Sequence, residues 1–263
     1  MMQSEQNSKN KERPFVDVIL TNFNKEDYVE EAILSVINQT YKNWKLYIID
    51  DNSNDKSLEV INKFSSHENI TIIKLLKNKG PSFCRNYIMR ISKSKYISFL
   101  DSDDSWSNVK LEKQISFMEK NNFYFTYTDY TPFFQKDKEK IFKKRTFIKN
   151  FFDYDAFIKN SSINTTTMII ARSILGTHRF KKVGLLEDYL FKCELLKKNF
   201  IAKKFEEDLA VYRILDESRS SKRLKNIYWL WRINNNYNKL NFFKNLMSIF
   251  FISLNSIKKY GIK

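Results

Sequence analysis

Cysteine and histidine are nearly absent. The 263 residues hold two of each: Cys84, Cys193, His67 and His178. The cysteines lie far apart and form no CxxC pair, which excludes a disulfide scaffold and a zinc–thiolate site and suits a reducing cytosol. With so few imidazoles, any metal has to be held by carboxylates. The first fourteen residues are polar and lack the apolar stretch of a secretory signal. The most apolar run, Leu246–Leu254, is nine residues long where about twenty are needed to span a bilayer. Internal repeats are lacking, and so is a linker long enough to set off an independent second domain. The expectation is a cytoplasmic chain, peripheral at most on the inner face of the membrane.

Acids are missing from one end. From Arg219 to Lys263 there are ten Lys and Arg and no Asp or Glu, while Lys136–Asn150 carries seven bases against two acids. The whole chain has 46 bases, 30 acids and a net charge of +16, so outside these two stretches it is close to neutral. An A/T-rich coding bias, which hints at a bacterial origin, would enrich Lys, Asn, Ile and Phe. It does not explain the loss of Asp and Glu after Glu217. A basic segment rich in aromatics suits an anionic partner: the phosphates of a nucleotide or lipid carrier, an anionic leaflet, or nucleic acid. Elsewhere the composition is that of a globular protein with material for a core, and the length suits one α/β domain with an appendage.

Residues 1–13 read as a disordered leader. Phe15–Thr21 is a β-branched apolar run and predicts a buried strand. Val29, Ala32, Ile33, Val36 and Ile37 then recur at helical spacing. Trp44–Asp50 predicts a second strand, Leu58, Ile61 and Phe64 a helix, Ile70–Leu76 a third strand, Pro81–Ser92 a helix, and Tyr96–Leu100 a fourth strand. Such alternation argues a mostly parallel sheet with helices on both faces, and such sheets bind ligands at the carboxyl ends of their strands. The polar clusters Thr21–Asn24, Asp50–Asp55 and Asp101–Asp104 fall at those ends. Farther on, Lys110–Asn121 predicts a helix, Phe123–Asp129 a strand, Thr165–Ala171 a strand, Leu185–Lys198 a helix, Ile201–Ile214 an extended segment, and the residues after Lys222 two helices.

The strand Tyr96–Leu100 runs into Asp101-Ser102-Asp103-Asp104. Carboxylates so close repel one another unless a cation lies between them, and hard oxygen ligands favour Mg²⁺ or Mn²⁺. Taken alone, helix capping is the better account of these aspartates. In Asp50–Asp55, Ser53 and Asp55 read as caps and Asp50 and Asp51 as ligand contacts. Glu187-Asp188 opens an amphipathic helix in which Leu186, Tyr189, Leu190 and Cys193 face inward; by spacing alone these acids complement the helix dipole.

The segment Val16–Ser57 (VDVILTNFNKEDYVEEAILSVINQTYKNWKLYIIDDNSNDKS) resembles the N-terminal signature of family 2 glycosyltransferases. Asn78-Lys-Gly80 with Arg85-Asn86 is similar to the next family motif. Asp101-Ser102-Asp103-Asp104 stands at its Asp-x-Asp motif, and Trp106…Lys110-Leu-Glu-x-x-Gln114 continues the match. The likeness is close from Val16 to Gln114 and looser to about Ser220. It implies a single GT-A (Rossmann-like) domain over residues 14–221, with residues 222–263 as a helical extension.

The resemblance also implies transfer of a sugar from a nucleotide-diphosphate donor, UDP-linked by family habit, with inversion at the anomeric carbon. Thr21, Phe23, Asn24 and Asp51 would line the nucleoside pocket, with Arg85, Asp101 and Ser102 beside the diphosphate or ribose. Asp103, with Asp101, would hold Mg²⁺ or Mn²⁺. Asp188 would be the general base and Glu187 an acceptor contact or the partner of a nearby cation. Arg213, Ser218 and Ser220 would belong to a loop closing over the diphosphate. One departure is Thr21-Asn22-Phe23-Asn24 in place of Pro-Thr-Tyr-Asn: Phe23 can stack on a base but has no phenolic hydroxyl.

Partners expected from this reading are a UDP-sugar, a glycan or lipid-linked acceptor, and an anionic membrane surface met by the C-terminal segment. In that segment Tyr228, Trp229, Trp231, Phe242, Phe243, Phe250 and Phe251 would pack on the core, lie on a membrane or form a homodimer contact. A processive synthase is disfavoured, since there is no Gln-x-x-Arg-Trp pattern and no transmembrane run. A nucleic-acid-binding protein would use the basic segment as its groove. No nucleic acid is expected, however, because acids at the sheet edge repel a polyanion. The intact Asp101, Asp103 and Asp188 argue against a non-catalytic sugar-nucleotide-binding relative.

Overall fold

A computed structural model describes residues 14–136, 139–142, 148–215 and 223–260. The expected leader, residues 1–13, lies outside the described residues. The buried runs form β1 (Val16–Asn22), β2 (Trp44–Asp50), β3 (Ile70–Lys74) and β4 (Tyr96–Asp101), separated by α1 (Val29–Ile37), α2 (Ser57–Asn62) and α3 (Pro81–Ile91). These four strands pair in parallel in the order β3-β2-β1-β4, with Thr21 level with Asp101 on one side and Ile49 on the other. Each crossover returns the chain to the same end of the sheet, so the loops after β1, β2 and β4 share one edge.

The second half turns the sheet mixed. Its elements are β5 (Ser105–Trp106), α4 (Lys110–Asn121), β6 (Phe125–Lys136), β7 (Glu139–Phe142), β8 (Phe151–Phe152), α5 (Tyr154–Phe157), β9 (Ile169–Ala171), α6 (Glu187–Leu196) and β10 (Ala202–Arg213). The path continues β4-β9-β6-β10-β5, with β9 antiparallel to both neighbours and β6 parallel to β10. The expected strand Thr165–Ala171 is only half a strand, because Thr165–Thr167 form a 3₁₀ turn before β9. The Asn164 side chain accepts the Thr166 N–H at 3.0 Å and the Thr167 hydroxyl donates to the Asn164 carbonyl at 2.8 Å. These local bonds pull the backbone out of the extended form.

That turn is locked from outside. Trp106 Nε1 donates to the Thr166 carbonyl at 2.9 Å, and Gln114 Nε2 donates to the Thr167 carbonyl and to Thr126 Oγ1. Helix α4 has no side-chain cap of its own; Gln39 Oε1 accepts the Leu111 N–H instead, at 2.9 Å. The chain ends in α7 (Arg223–Asn236) and α8 (Phe242–Tyr260), two helices packed on each other and on α6. Among the described residues no helix is long and apolar enough to cross a membrane.

Lys110 is fully buried in α4, its ammonium 3.0 Å from Gln114 Oε1 and 4.2 Å over the Trp106 ring. Burial pushes its pKa down to about 7. In the unfolded chain a lysine titrates near ~10, so between these values the unfolded state holds more protons and stability rises with pH. The expected outcome is a melting temperature for Lys110→Met that exceeds the wild type at neutral pH. The gap closes or inverts as pH approaches ~10, where wild-type Lys110 is neutral in the fold and keeps its Gln114 bond. Thermal melts across that range check it.

Candidate active site

The loop after β1 and the loop after β2 are stitched together at the sheet edge. Asp50 accepts from Asn22 Nδ2, from the Ser53 N–H and from the Ser53 hydroxyl, all within 3.0 Å. Asn24, held at φ 51°, accepts the Asn54 N–H while its own N–H donates to Ser53 Oγ. Asp55 accepts the N–H groups of Ser57 and Glu26. Ser53 and Asp55 are structural, as their types imply. Asp50, read from sequence as a ligand contact, is instead wholly buried and consumed by the turn. Phe23 projects from this framework with 42% of its surface exposed.

Asp51 is also buried, and its two oxygens accept the Lys79 and Gly80 N–H groups at 2.7 and 2.8 Å. It therefore holds the start of α3, whose N-cap residue Gly80 sits at φ 86°. Helix α3 carries Arg85, a buried guanidinium 2.6 Å from Asp101 Oδ1 and 5.2 Å from the centre of the Phe180 ring. Burial disfavours its charge, but the nearby carboxylates of Asp101, Asp188 and Glu187 outweigh that and raise its pKa. Glu187 is buried within this field, so the cation it was expected to serve is Arg85.

The three aspartates after β4 separate into distinct settings. Asp101 faces Arg85. Asp103 lies 3.2 Å from the Lys25 ammonium, and burial and the charge of Asp101 nonetheless raise its proton affinity. Asp104 is buried, accepting the Thr166 hydroxyl at 2.6 Å and the Arg213 N–H at 3.0 Å. Ser102 is buried inside the turn. Asp101 and Asp103 offer the hard oxygens that a Mg²⁺ or Mn²⁺ ion takes. No group of three His, Cys, Asp or Glu suited to a metal exists among the described residues. Such an ion would draw its other ligands from water and phosphate.

Asp188 begins α6 with its side chain 38% exposed. Its Oδ2 accepts from Lys192 Nζ at 2.8 Å and from the Thr165 hydroxyl at 3.2 Å. Burial alone would raise its pKa, but the Lys192 ammonium, the Arg85 charge and a backbone N–H bring it down to about 2. Adjacent threonines thus serve the two acid groups: Thr165 binds Asp188 and Thr166 binds Asp104. The residue before α6, Leu186, lies at φ 60°, and Gly184 at φ 100°. A Cβ on Gly184 would sit 2.5 Å from the Trp229 ring, so α7 presses directly on the loop that leads to Asp188.

Arg213, expected on a donor phosphate, is committed elsewhere. Its guanidinium is buried between the Tyr28 and Phe133 rings, 2.9 Å from Glu31 Oε2 and 3.0 Å from the Asp103 carbonyl. With protein partners on these sides it acts as a fastener from β10 to the Asp103 turn. Ser218 and Ser220 lie outside the described residues. Lys25, Lys192, Thr165 and Phe180 were not anticipated. The i,i+4 spacing of Asp188 and Lys192 was the available signal for one of them; the other three are joined to the site only by the fold.

A mixed sheet with asparagines at the end of β1, acids at the ends of β2 and β4, and an acid pair opening α6 fits the GT-A class of transferase fold. The sequence profile described as Glycosyl transferase family 2 matches residues 17–179. TuaG of Bacillus subtilis (strain 168), a glycosyltransferase assigned by name to teichuronic acid biosynthesis, is 31% identical over 94% of this chain and 98% of its own. The Escherichia coli UDP-Glc:alpha-D-GlcNAc-diphosphoundecaprenol beta-1,3-glucosyltransferase WfgD is 32% identical over 83% of this chain and 84% of its own. Among solved structures, S. aureus TarS in complex with UDP-GlcNAc superposes with a TM-score of 0.70 at 17% identity, over 93% of this chain and 73% of that one. The mannosyltransferase PcManGT from Pyrobaculum calidifontis, solved with GDP-Man and Mn2+, gives 0.68 at 14% identity, over 92% and 70%. The chain belongs to glycosyl transferase family 2 and is a glycosyltransferase.

The Asp188–Lys192 pair yields a direct test. In Lys192→Met the Asp188 carboxyl is expected to titrate at least about one unit higher, toward the ordinary range near 4, as followed by ¹³C NMR of labelled aspartate. Because the folded pKa is depressed, the pair stabilises the protein above the unfolded value and loses its effect as pH falls toward 2. The variant therefore differs most from wild type at neutral pH. An unchanged midpoint would assign the depression to Arg85 and the Tyr189 N–H.

Proposed function

We propose that this protein is a metal-dependent, inverting glycosyltransferase that moves a sugar from a UDP-sugar to a hydroxyl of a lipid-linked or glycan acceptor in surface-polysaccharide or glycoconjugate synthesis. The convergence of Asp101, Asp103, Arg85 and the Glu187–Asp188 pair at one sheet edge carries this reading. Relatives above 30% identity whose names specify UDP-Glc and a diphosphoundecaprenol acceptor support the donor and acceptor classes. A neighbouring transferase solved with Mn2+ supports the metal class. A lipid-linked acceptor also brings the enzyme to the inner membrane face, where the acid-free C-terminal segment meets anionic lipid.

On this reading Thr21, Phe23, Asn24 and Asp51 form the nucleoside wall, Phe23 stacking on the base and Asp51 fixing the 78–80 backbone beside it. Arg85 and Ser102 lie along the ribose and diphosphate, and Ser218 and Ser220 remain donor-loop candidates. Asp101 and Asp103 would hold Mg²⁺ or Mn²⁺, which supplies positive charge against the leaving diphosphate. Asp188 accepts the proton of the acceptor hydroxyl as that oxygen bonds to the anomeric carbon and the bond to the diphosphate breaks on the opposite face. Lys192 and Arg85 keep Asp188 ionised, and Thr165 fixes its orientation. A carboxylate held so low receives the proton late, when the attacking oxygen has already become acidic. Glu187 contributes from behind Arg85 to the shape of the acceptor side.

The test is a calorimetric titration with UDP, with and without Mn²⁺, beside Asp103→Ala. Binding that strengthens about tenfold or more with metal, and loses that gain in the variant, is the expected result. Failure of UDP and of other nucleoside diphosphates under both conditions would sink the proposal.

A further inference from the structure

Helix α8 packs Ile249 and Ile252 against the core, yet its outer face is apolar as well. The face turned to the protein buries polar groups: Asn245 donates to the Trp231 carbonyl, and Ser248 donates to the Ile158 carbonyl while accepting from Asn234 Nδ2. The opposite face exposes Phe243, Leu246, Met247, Phe250, Leu254 and Ile257, spaced three and four apart along one stripe. Phe243 is 77% exposed and Phe250 55%. Isolated apolar side chains on a surface are ordinary, but a stripe of six along one helix marks an interaction face.

The charge around the stripe selects its occupant. Lys244 and Lys258 flank it on α8, Lys225 lies on α7, and no acid occurs between Arg219 and Lys263. An apolar ridge flanked by Lys244 and Lys258, on a segment without acids, complements an anionic lipid surface, whose headgroups take the ammonium groups while the acyl boundary takes the rings. We infer that the outer face of α8 lies in the plane of an anionic bilayer, with these six side chains entering the headgroup–acyl boundary. The inference rests on the lipid-linked acceptor reading and adds the surface that meets the lipid.

The polar inner face ties this surface to the site. Tyr189, next to Asp188, donates to Asn234 Oδ1 at 2.8 Å, and Asn234 donates to Ser248 at 2.9 Å, both bonds buried. With Trp229 against Gly184, the lipid-facing helix and the acceptor loop are parts of one packed unit. Docking α8 therefore fixes the distance between Asp188 and the membrane surface, where a lipid-borne hydroxyl is presented.

The experiment is vesicle flotation of the full chain with phosphatidylcholine alone and with about a third phosphatidylglycerol, beside Phe243→Glu/Phe250→Glu. Both positions are exposed and outside the catalytic machinery, so UDP binding in the variant reports its integrity. Expected are flotation with the anionic vesicles, at least about tenfold weaker partition of the variant, and weaker binding in high salt. Absence of flotation in a wild type that binds UDP overturns this inference alone, as does a stable lipid-free dimer that the variant converts to monomer. Flotation of a wild type that binds no nucleotide supports the membrane face and rejects the donor reading instead.

Discussion

Crowding of negative charge at the carboxyl end of β4 is the constraint that the rest of the site answers. Three aspartates within four residues cannot all remain ionised at a half-buried strand end without compensation. Each is compensated from a different part of the chain. Asp101 is met by Arg85 from α3, Asp103 by Lys25 from the loop after β1, and Asp104 by the hydroxyl of Thr166 and the backbone of β10. The loops that would hold a donor are thus pinned by the same carboxylates that would hold a cation. A bound ion would share Asp101 and Asp103 with Arg85 and Lys25. The fold therefore supplies a charge-balanced state of the pair without any ion, and binding of diphosphate and metal together would exchange one balance for another.

The Asp188 side of the site answers a related constraint through a different device. Asp188 stands at the start of α6, and against the effect of burial its pKa is lowered chiefly by a buried lysine one turn later, with Arg85 and the Tyr189 N–H adding to it. Lys192 is itself secured by the Ile163 carbonyl and the Thr165 hydroxyl. A fully buried ammonium is tolerated only with such partners, so the Thr165–Thr167 turn stabilises both the lysine and the acid. That turn in turn depends on Trp106 and Gln114.

The parallel half of the sheet was legible residue by residue, because buried parallel strands are continuous β-branched runs and their helices keep a 3.6 period. Trp44–Asp50 and Lys110–Asn121 coincide with the elements expected. The later half was less legible. The strand expected at Thr165 gave way to side-chain-to-backbone bonds that no hydrophobic period records. Of the candidate site, the gathering of Asp101, Asp103, Asp188 and Arg85 at one sheet edge was expected from the family resemblance, whereas Asp50 turned inward. Arg213 could not be read correctly: from sequence it is an arginine beside a serine-rich turn, while in the fold two aromatic rings and Glu31 enclose it. Lys25, Thr165 and Phe180 reach the site through tertiary contacts between distant segments, which spacing does not encode. Trp106 and Gln114 showed the reverse case. They were legible as motif residues, yet their physical role, holding the threonine turn, appears only in three dimensions.

The C-terminal helices show how one sequence feature can serve two readings. Their aromatics were open to core packing, membrane contact or dimerisation, and the structure divides them by face. Trp229 packs against Gly184 and Trp231 meets Phe242 edge to face, whereas Phe243 and Phe250 point away from the protein. The division follows from the inner face being held by hydrogen bonds of Asn234, Asn245 and Ser248 beside the packing of Ile249 and Ile252 on the core. Buried side-chain hydrogen bonds are directional and fix the rotation of α8 about its axis. A purely apolar inner face would let the helix roll and bury part of the stripe. Polar residues inside and apolar residues outside are thus one arrangement: the first sets the orientation that keeps the second exposed, and the same bonds reach back through Tyr189 to the residue beside Asp188.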